Sequence, residues 1–490
     1  MTLALVLIPA AAALTCFVIR YDALRRALLV ATALAHLAMT AASWMKRPVP
    51  ALGGWLAVDA GGLVFLSITS VLFLASALYA LGYLKREPHG ERKDFEEGVL
   101  FTNAPEAVFT GCLLFFLATM TLVTISQHFG LLWVAVEATT LASAPLIYFH
   151  RHDRSLEATW KYLLLCSVGI ALALLGNFFL TVAASAPGGG SIPLVVADLM
   201  AQAGKLNVPW LKAAFVLLLI GYGTKMGLAP MHTWLPDAHS ESPSLVSALL
   251  SGALLNCAFL GILRIQQVCS AAGIEAFGRE AFVAFGLVSM AVAAVFIIAQ
   301  TDFKRMLAYS SVEHMGILSL GVGLGGDGIF GAVFHAVNHS LTKGMLFLVA
   351  GNLLTVYATK STARVRGILQ LVPASGVLWV AGFLSITGAP PFGTFVSEFI
   401  ILKAAFDKGY TAVAVTYLLL LSTIFAGMAA IVIRMAQGKA PEDQCPSRGE
   451  PLLALVPAAV LGAFVLMLGL YLPPFLGRIL HEAAIMLGGS

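Results

Sequence analysis

The 490-residue chain is 59% hydrophobic and 11% charged, with a mean hydropathy of +0.90 and a formal net charge of +4. Soluble globular domains carry about 25% charged residues, so this composition excludes a water-soluble enzyme and points to an all-α polytopic membrane protein. The small positive balance is spread over loops and offers no nucleic-acid surface.

About 20 apolar residues cross a bilayer. On that rule fourteen spans are predicted, at 2–19, 24–45, 61–84, 106–127, 129–149, 158–184, 211–235, 243–268, 280–300, 306–325, 329–357, 371–409, 411–436 and 451–475. The N-terminus has no basic run ahead of its apolar stretch, so it reads as a retained first helix rather than a cleaved signal. Loop 85–105 is the longest polar one, and loop 185–210, rich in Gly, Pro and Ala, is expected to fold back on the protein. The chain is expected to stop soon after the last span, without a lateral helix.

Orientation follows from Lys and Arg in the loops, which favour the cytoplasmic side. With the N-terminus outside, inner loops carry 14 and outer loops 5. Both termini are therefore expected in the periplasm of a bacterial inner membrane, with loop 85–105 in the cytoplasm. Cys16, Cys112, Cys166, Cys257, Cys269 and Cys445 show no metal or redox spacing and read as small apolar fillers. Nucleotide motifs are absent as well, so no cofactor or redox centre is expected in this chain.

Ionisable residues inside spans are costly, about 2.5–3.5 kcal/mol on insertion scales, and mark ion paths. Glu137 comes first, mid-span among apolar neighbours. Lys225 follows in the seventh span, and Pro230 breaks its helix five residues later. Burial disfavours both charges and pairing restores them, so a Glu137–Lys225 pair can change which partner holds the proton on a small separation. His232 and His239 lie near this break. Asp237, between Pro236 and Ala238, reads as a turn or cap residue. In the tenth span Asp302 is expected to cap the helix, Lys304 and Arg305 to sit at the inner interface, and Glu313 and His314 to face different directions.

His335, His339 and Lys343 recur every four residues in the eleventh span and share one helical face, with Asn338 beside them. Such a ladder suits a proton relay. Metal binding is not expected, because no acidic third ligand accompanies the two histidines. The twelfth span is too long for one crossing and should break at Pro390 and Pro391. Beyond that break, Glu398 is a candidate last carrier, and Lys403 is either a further carrier or an interfacial anchor.

The segment Leu228-Ala-Pro-Met-His-Thr-Trp resembles Gly388-Ala-Pro-Pro-Phe-Gly-Thr-Phe, five spans later. An odd offset makes two such repeats inverted in the membrane, a design common in transporters. The predicted organisation is 1–105 for three helices and the cytoplasmic loop, 106–268 and 280–436 for two five-helix repeats with broken helices 7 and 12, and 451–490 for the last helix.

Together these features resemble the antiporter-like subunits shared by respiratory complex I, membrane-bound hydrogenases and multisubunit sodium/proton antiporters. The resemblance covers roughly residues 60–475. It is carried by Lys225-Met-Gly-Leu-Ala-Pro-Met-His-Thr-Trp-Leu-Pro-Asp-Ala-His-Ser-Glu-Ser-Pro-Ser, by Gln300-Thr-Asp-Phe-Lys-Arg-Met-Leu-Ala-Tyr-Ser-Ser, by Glu137 and by the His335–Lys343 ladder. The variants Val136-Glu-Ala-Thr-Thr-Leu-Ala-Ser and Ser311-Val-Glu-His-Met-Gly look closest to component F of hydrogenase-4, of the formate hydrogenlyase type. The resemblance implies that Glu137 and Lys225 are the paired carriers of the first half-channel and Glu398 the terminal one. It also implies partner membrane subunits and peripheral redox subunits, with the metal centres held there. Asn256 departs from the pattern, since many members have Lys or His at that position; asparagine cannot titrate but can orient a water. The alternative implied function is a secondary Na+/H+ antiporter, or an inorganic-carbon uptake subunit, without electron transfer.

Overall fold

A computed structural model of the chain describes residues 1–87, 90–94, 98–185, 191–440 and 449–488; Cys445 lies outside them. The protein is mostly helical. Among the described residues, ten helices are long and apolar enough to cross a membrane, and Thr2–Val18 and Pro373–Ile386 are shorter apolar helices. The buried centre is the helix Asp327–Tyr357, which packs against Phe303–Leu324, Pro373–Ile386, Gly393–Asp407 and Leu452–Leu470. Its His, Asn and Lys residues are therefore surrounded by protein rather than lipid.

Both proline segments break helices. Val208–Met226 ends at Gly227, whose φ of +85° suits only a residue without a side chain, and helix resumes at Trp234. The indole of Trp234 donates to the Thr224 carbonyl at 2.8 Å, and the Ala229 amide donates to Ser289 Oγ at 3.0 Å. Side chains thus satisfy backbone groups that the break frees, as a dry interior requires. The second break runs from Ile386 to Gly393. Asn338 donates to the Gly393 carbonyl at 3.0 Å and holds that break against the central helix. The peptide bonds Ala229–Pro230 and Pro390–Pro391 are both cis.

The helices around Lys225 cross closely because both lack side chains at the crossing. A Cβ on Gly221 would lie 2.6 Å from the Gly169 carbonyl oxygen, and one on Gly169 would lie 2.7 Å from Thr224 Cβ. The helix Ser244–Ala271 contains a π-helical turn at Leu250–Leu254, just before Asn256. Such turns are frequent at functional positions.

The loop 185–210 does fold back, as its residues 194–196 bond to the segment Gln127–Phe129. In loop 85–105 the strands Glu91–Lys93 and Leu100–Thr102 pair antiparallel. The chain ending differs from expectation. Helix stops at Leu470 rather than near 475, ahead of Pro473 and Pro474, and a further amphipathic helix, Pro474–Met486, packs on Ala60–Arg86.

Lys304 is a second correction. It is 1% exposed rather than interfacial, and its ammonium donates to the carbonyls of Ser240 at 3.0 Å and Ser242 at 2.6 Å. These carbonyls belong to the C-terminal end of Trp234–Glu241, where a helix favours a cation. Asp302 caps its helix as expected, accepting from the Lys304 and Arg305 amides. Asp237 is not simply a turn residue, since it bridges Arg305 and Lys161 at 2.6 and 3.0 Å.

Candidate functional site

Two clusters of polar groups lie in the helix bundle, buried except for Glu137, which is half-buried. The first is built on Lys225. Its side chain is fully buried at the last turn before the first break, and its ammonium donates to Thr140 Oγ1 at 2.8 Å and to the Tyr162 hydroxyl at 2.5 Å. Thr140 in turn donates to Glu137 Oε2 at 3.3 Å. Glu137 and Lys225 are thus linked through a hydroxyl rather than by direct contact. Thr140 stands one turn beyond Glu137 and fills the gap between them. Since a hydroxyl both accepts and donates, the three groups form a continuous path from ammonium to carboxylate. Ser143 Oγ, 2.6 Å from the Tyr162 hydroxyl, completes the cluster.

The second cluster is built on the central helix. Lys343 donates to the Leu307 carbonyl and to Ser310 Oγ. His339 lies next along the helix face, with its ring 4.9 Å from that of His314. His314 Nδ1 and His335 Nε2 are 2.8 Å apart and share a hydrogen bond. The other nitrogen of His335 is 2.9 Å from Ser397 Oγ. The carboxylate of Glu398 completes the row, with its ligand atom within 4.8 Å of those of His314 and His335. Glu398 sits on the second half of the broken helix. Gly388 leaves room for it, since a Cβ there would be 1.9 Å from Glu398 Oε2. His314 therefore joins the ladder, whereas Glu313, 2% exposed, keeps Oε2 without a hydrogen-bond partner.

Asn256, on the helix Ser244–Ala271, bonds to the central helix. Its amide donates to Ser340 Oγ at 2.7 Å and to the Gly252 carbonyl at 2.8 Å, in the π-helical turn. Ser340 follows His339 directly on the central helix. The carbonyl oxygen of Asn256 has no protein partner.

Other residues singled out from sequence lie apart. Lys403 is mostly exposed and pairs with Asp407 one turn on, at 2.5 Å, outside the buried row. His232 is buried beside the first break with its ring 6.2 Å from Tyr309. His239 is fully buried and stacks on Phe347 at 5.2 Å. On the side of loop 85–105 a cavity of about 230 Å³ is lined by Tyr83, His150, His152, Glu241, Lys304 and Lys360. His150 bonds to the Tyr83 hydroxyl at 3.0 Å and to Asn103 Oδ1 at 2.8 Å. Burial, and next the positive charge of Arg92, hold its imidazole down at about 3.

Sequence reasoning missed Thr140, Tyr162 and Ser397. Their one signal was a hydroxyl near an ionisable residue, and hydroxyls are common in this chain. The expected lack of an acidic partner for the histidines also needs correcting, because the second break folds Glu398 onto them.

Residues 126–425, which include both clusters, match the family model described as NADH:quinone oxidoreductase/Mrp antiporter, TM. The chain belongs to this family. A relative named hydrogenase-4 component F homolog, from Methylacidiphilum infernorum (isolate V4), is 33% identical over 440 residues, covering 89% of each chain. Two solved structures share the family fold. One is a chain of an archaeal membrane-bound sulfane sulfur reductase, with a TM-score of 0.86 at 20% identity, covering 100% of this chain and 98% of that one. The other is a chain of the Mrp complex from Dietzia sp. DQ12-45-1b, with a TM-score of 0.84 at 21% identity, covering 100% of this chain and 97% of that one.

Proposed function

We propose that this chain is the proton-translocating membrane subunit of a redox-driven complex, of the hydrogenase-4/formate hydrogenlyase type or complex I-like. One observation carries the reading: ionisable groups and hydroxyls run through the helix bundle from Glu137 by Thr140 to Lys225, and from Lys343 by His339, His314 and His335 to Glu398. Buried ionisable groups of this kind are expensive in a membrane and have no structural need to be aligned. The 33% identity to a hydrogenase-4 component F homolog supports the choice of complex. At 21% identity the likeness to an Mrp chain concerns fold alone, so it lends no weight to the Na+/H+ antiporter alternative.

In this reading the chain has fourteen spans, with inverted repeats at 106–268 and 280–436 flanked by segments 1–105 and 451–490. Both termini face the periplasm of a bacterial inner membrane. The chain holds no cofactor of its own. Partner membrane and peripheral subunits carry the redox centres, and their turnover changes which group of the first cluster holds the proton. Asn256 cannot carry a proton, so transfer between the clusters uses water held beside its carbonyl oxygen.

The test is proton movement by the assembled complex in vesicles, read by quenching of a pH-sensitive dye. Glu137→Gln and Lys225→Ala should each abolish coupled pumping while the complex stays assembled. The double variant should be no worse than either single one, since the pair acts as a unit. Near-normal pumping by either single variant would sink the proposal.

A further inference from the structure

We propose that His314, His335 and Glu398 form a binding site for a divalent transition-metal cation such as Zn2+. Three helices supply the donors: Phe303–Leu324, Asp327–Tyr357 and Gly393–Asp407. Each residue offers a ligand atom within 4.8 Å of the other two, and all three are buried. Two imidazoles and one carboxylate, with a fourth position open to water, are a common zinc donor set. Tetrahedral zinc holds its ligand atoms about 3.3 Å apart, as its bond lengths of about 2.0–2.2 Å require. His314 Nδ1 and His335 Nε2, now 2.8 Å apart, need separate by only about half an ångström.

Two further features suit a cation. Ser397 holds the far nitrogen of His335 at 2.9 Å and so fixes the ring's orientation, the role an outer partner has at metal sites. Glu398 Oε1 has no hydrogen-bond partner despite its burial, so one carboxylate oxygen is available. Glu313 is likewise buried, within electrostatic reach of Glu398. Glu398 also lines a mostly apolar surface cavity of about 320 Å³, with Phe395, Phe399, Tyr417 and Leu418.

Metal binding stands on these donors alone. Its consequence, a block on proton transfer by tying up three carriers, rests on the function proposed above. The test titrates ZnCl2 into the full-length chain in lipid nanodiscs and records zinc X-ray absorption at one equivalent. We expect one zinc per chain, with a nitrogen and oxygen shell and the outer scattering of two imidazoles. Affinity should fall at least tenfold in His335→Gln and in Glu398→Gln, and ten- to a hundredfold in Ser397→Ala. A shell containing sulfur or lacking imidazole overturns the proposal, as does substoichiometric binding or unchanged affinity in Glu398→Gln. The absorption spectrum is read on the unaltered protein, so a misfolded variant does not decide the matter. A second arm measures dye quenching by the assembled complex with and without zinc. Zinc bound at this site without slowed pumping would refute the block and count against the proton path, leaving the metal site in place.

Discussion

Replacing Thr140 with valine removes the one hydroxyl that joins Lys225 to Glu137 and keeps almost the same shape. Lys225 then loses its 2.8 Å bond to Thr140, and Glu137 loses its 3.3 Å bond from the same oxygen. A hydrogen bond to a charged group is worth about 1.5–3 kcal/mol. If that stabilisation belongs to the transfer step, the rate falls by roughly tenfold to somewhat over a hundredfold, at about 1.4 kcal/mol per factor of ten. Tyr162→Phe is the control. It also takes one partner from Lys225, but the Tyr162 hydroxyl does not itself bond to Glu137. Thr140→Ser should pump nearly as well as wild type, since it keeps the hydroxyl. The assay is the initial rate of dye quenching per assembled complex in vesicles. Thr140→Val pumping within twofold of wild type, or Tyr162→Phe proving as slow as Thr140→Val, would refute a path through Thr140.

Asn256→Leu should slow pumping about tenfold or more, because it removes the polar link to Ser340; Asn256→Lys should be milder, and equal rates for Leu and wild type would place the path elsewhere. Lys403→Gln should pump within twofold of wild type, as its ammonium pairs with Asp407 at the surface, and a tenfold loss would restore it as a carrier. His150 bears on pH dependence. Its imidazole is held at about 3 when folded against about 6.5 unfolded, so the unfolded chain binds the extra proton between those values. Stability from this group is full above about 6.5 and is lost as the pH falls toward 3. The melting temperature should therefore drop less between pH 7 and pH 5 in His150→Gln than in wild type, by scanning fluorimetry; equal drops would show that His150 is not the group responsible.

Membrane residence, the two broken helices and most ionisable groups of the site were legible in the sequence. Each has a local signature: an apolar run, a proline inside one, or a charge inside one. The four-residue spacing of His335, His339 and Lys343 is likewise local, and all three side chains do lie buried in the central helix. What was not legible depends on helices that meet only in three dimensions. Thr140 links Glu137 to Lys225 because Phe129–Ile147 and Asp153–Ala183 both meet Val208–Met226 at Lys225. Lys304 turns inward because the carbonyl end of Trp234–Glu241 lies beside it. His314 and Glu398 meet because the second break redirects its helix toward the centre.

The two breaks also serve their clusters differently. At the first, Lys225 lies just before the interruption, in the last turn of Val208–Met226, the end of a helix that favours a cation. At the second, Glu398 lies just after the interruption, in the second turn of Gly393–Asp407 and beyond the first turn, where a helix start favours an anion. One kind of interruption thus stands just after one ionisable group and just before the other. Asn256 and Ser340 pair between the helices Ser244–Ala271 and Asp327–Tyr357, and neither side chain titrates. On the proposed function, protons pass this stretch only with water, which keeps the two clusters from exchanging protons continuously.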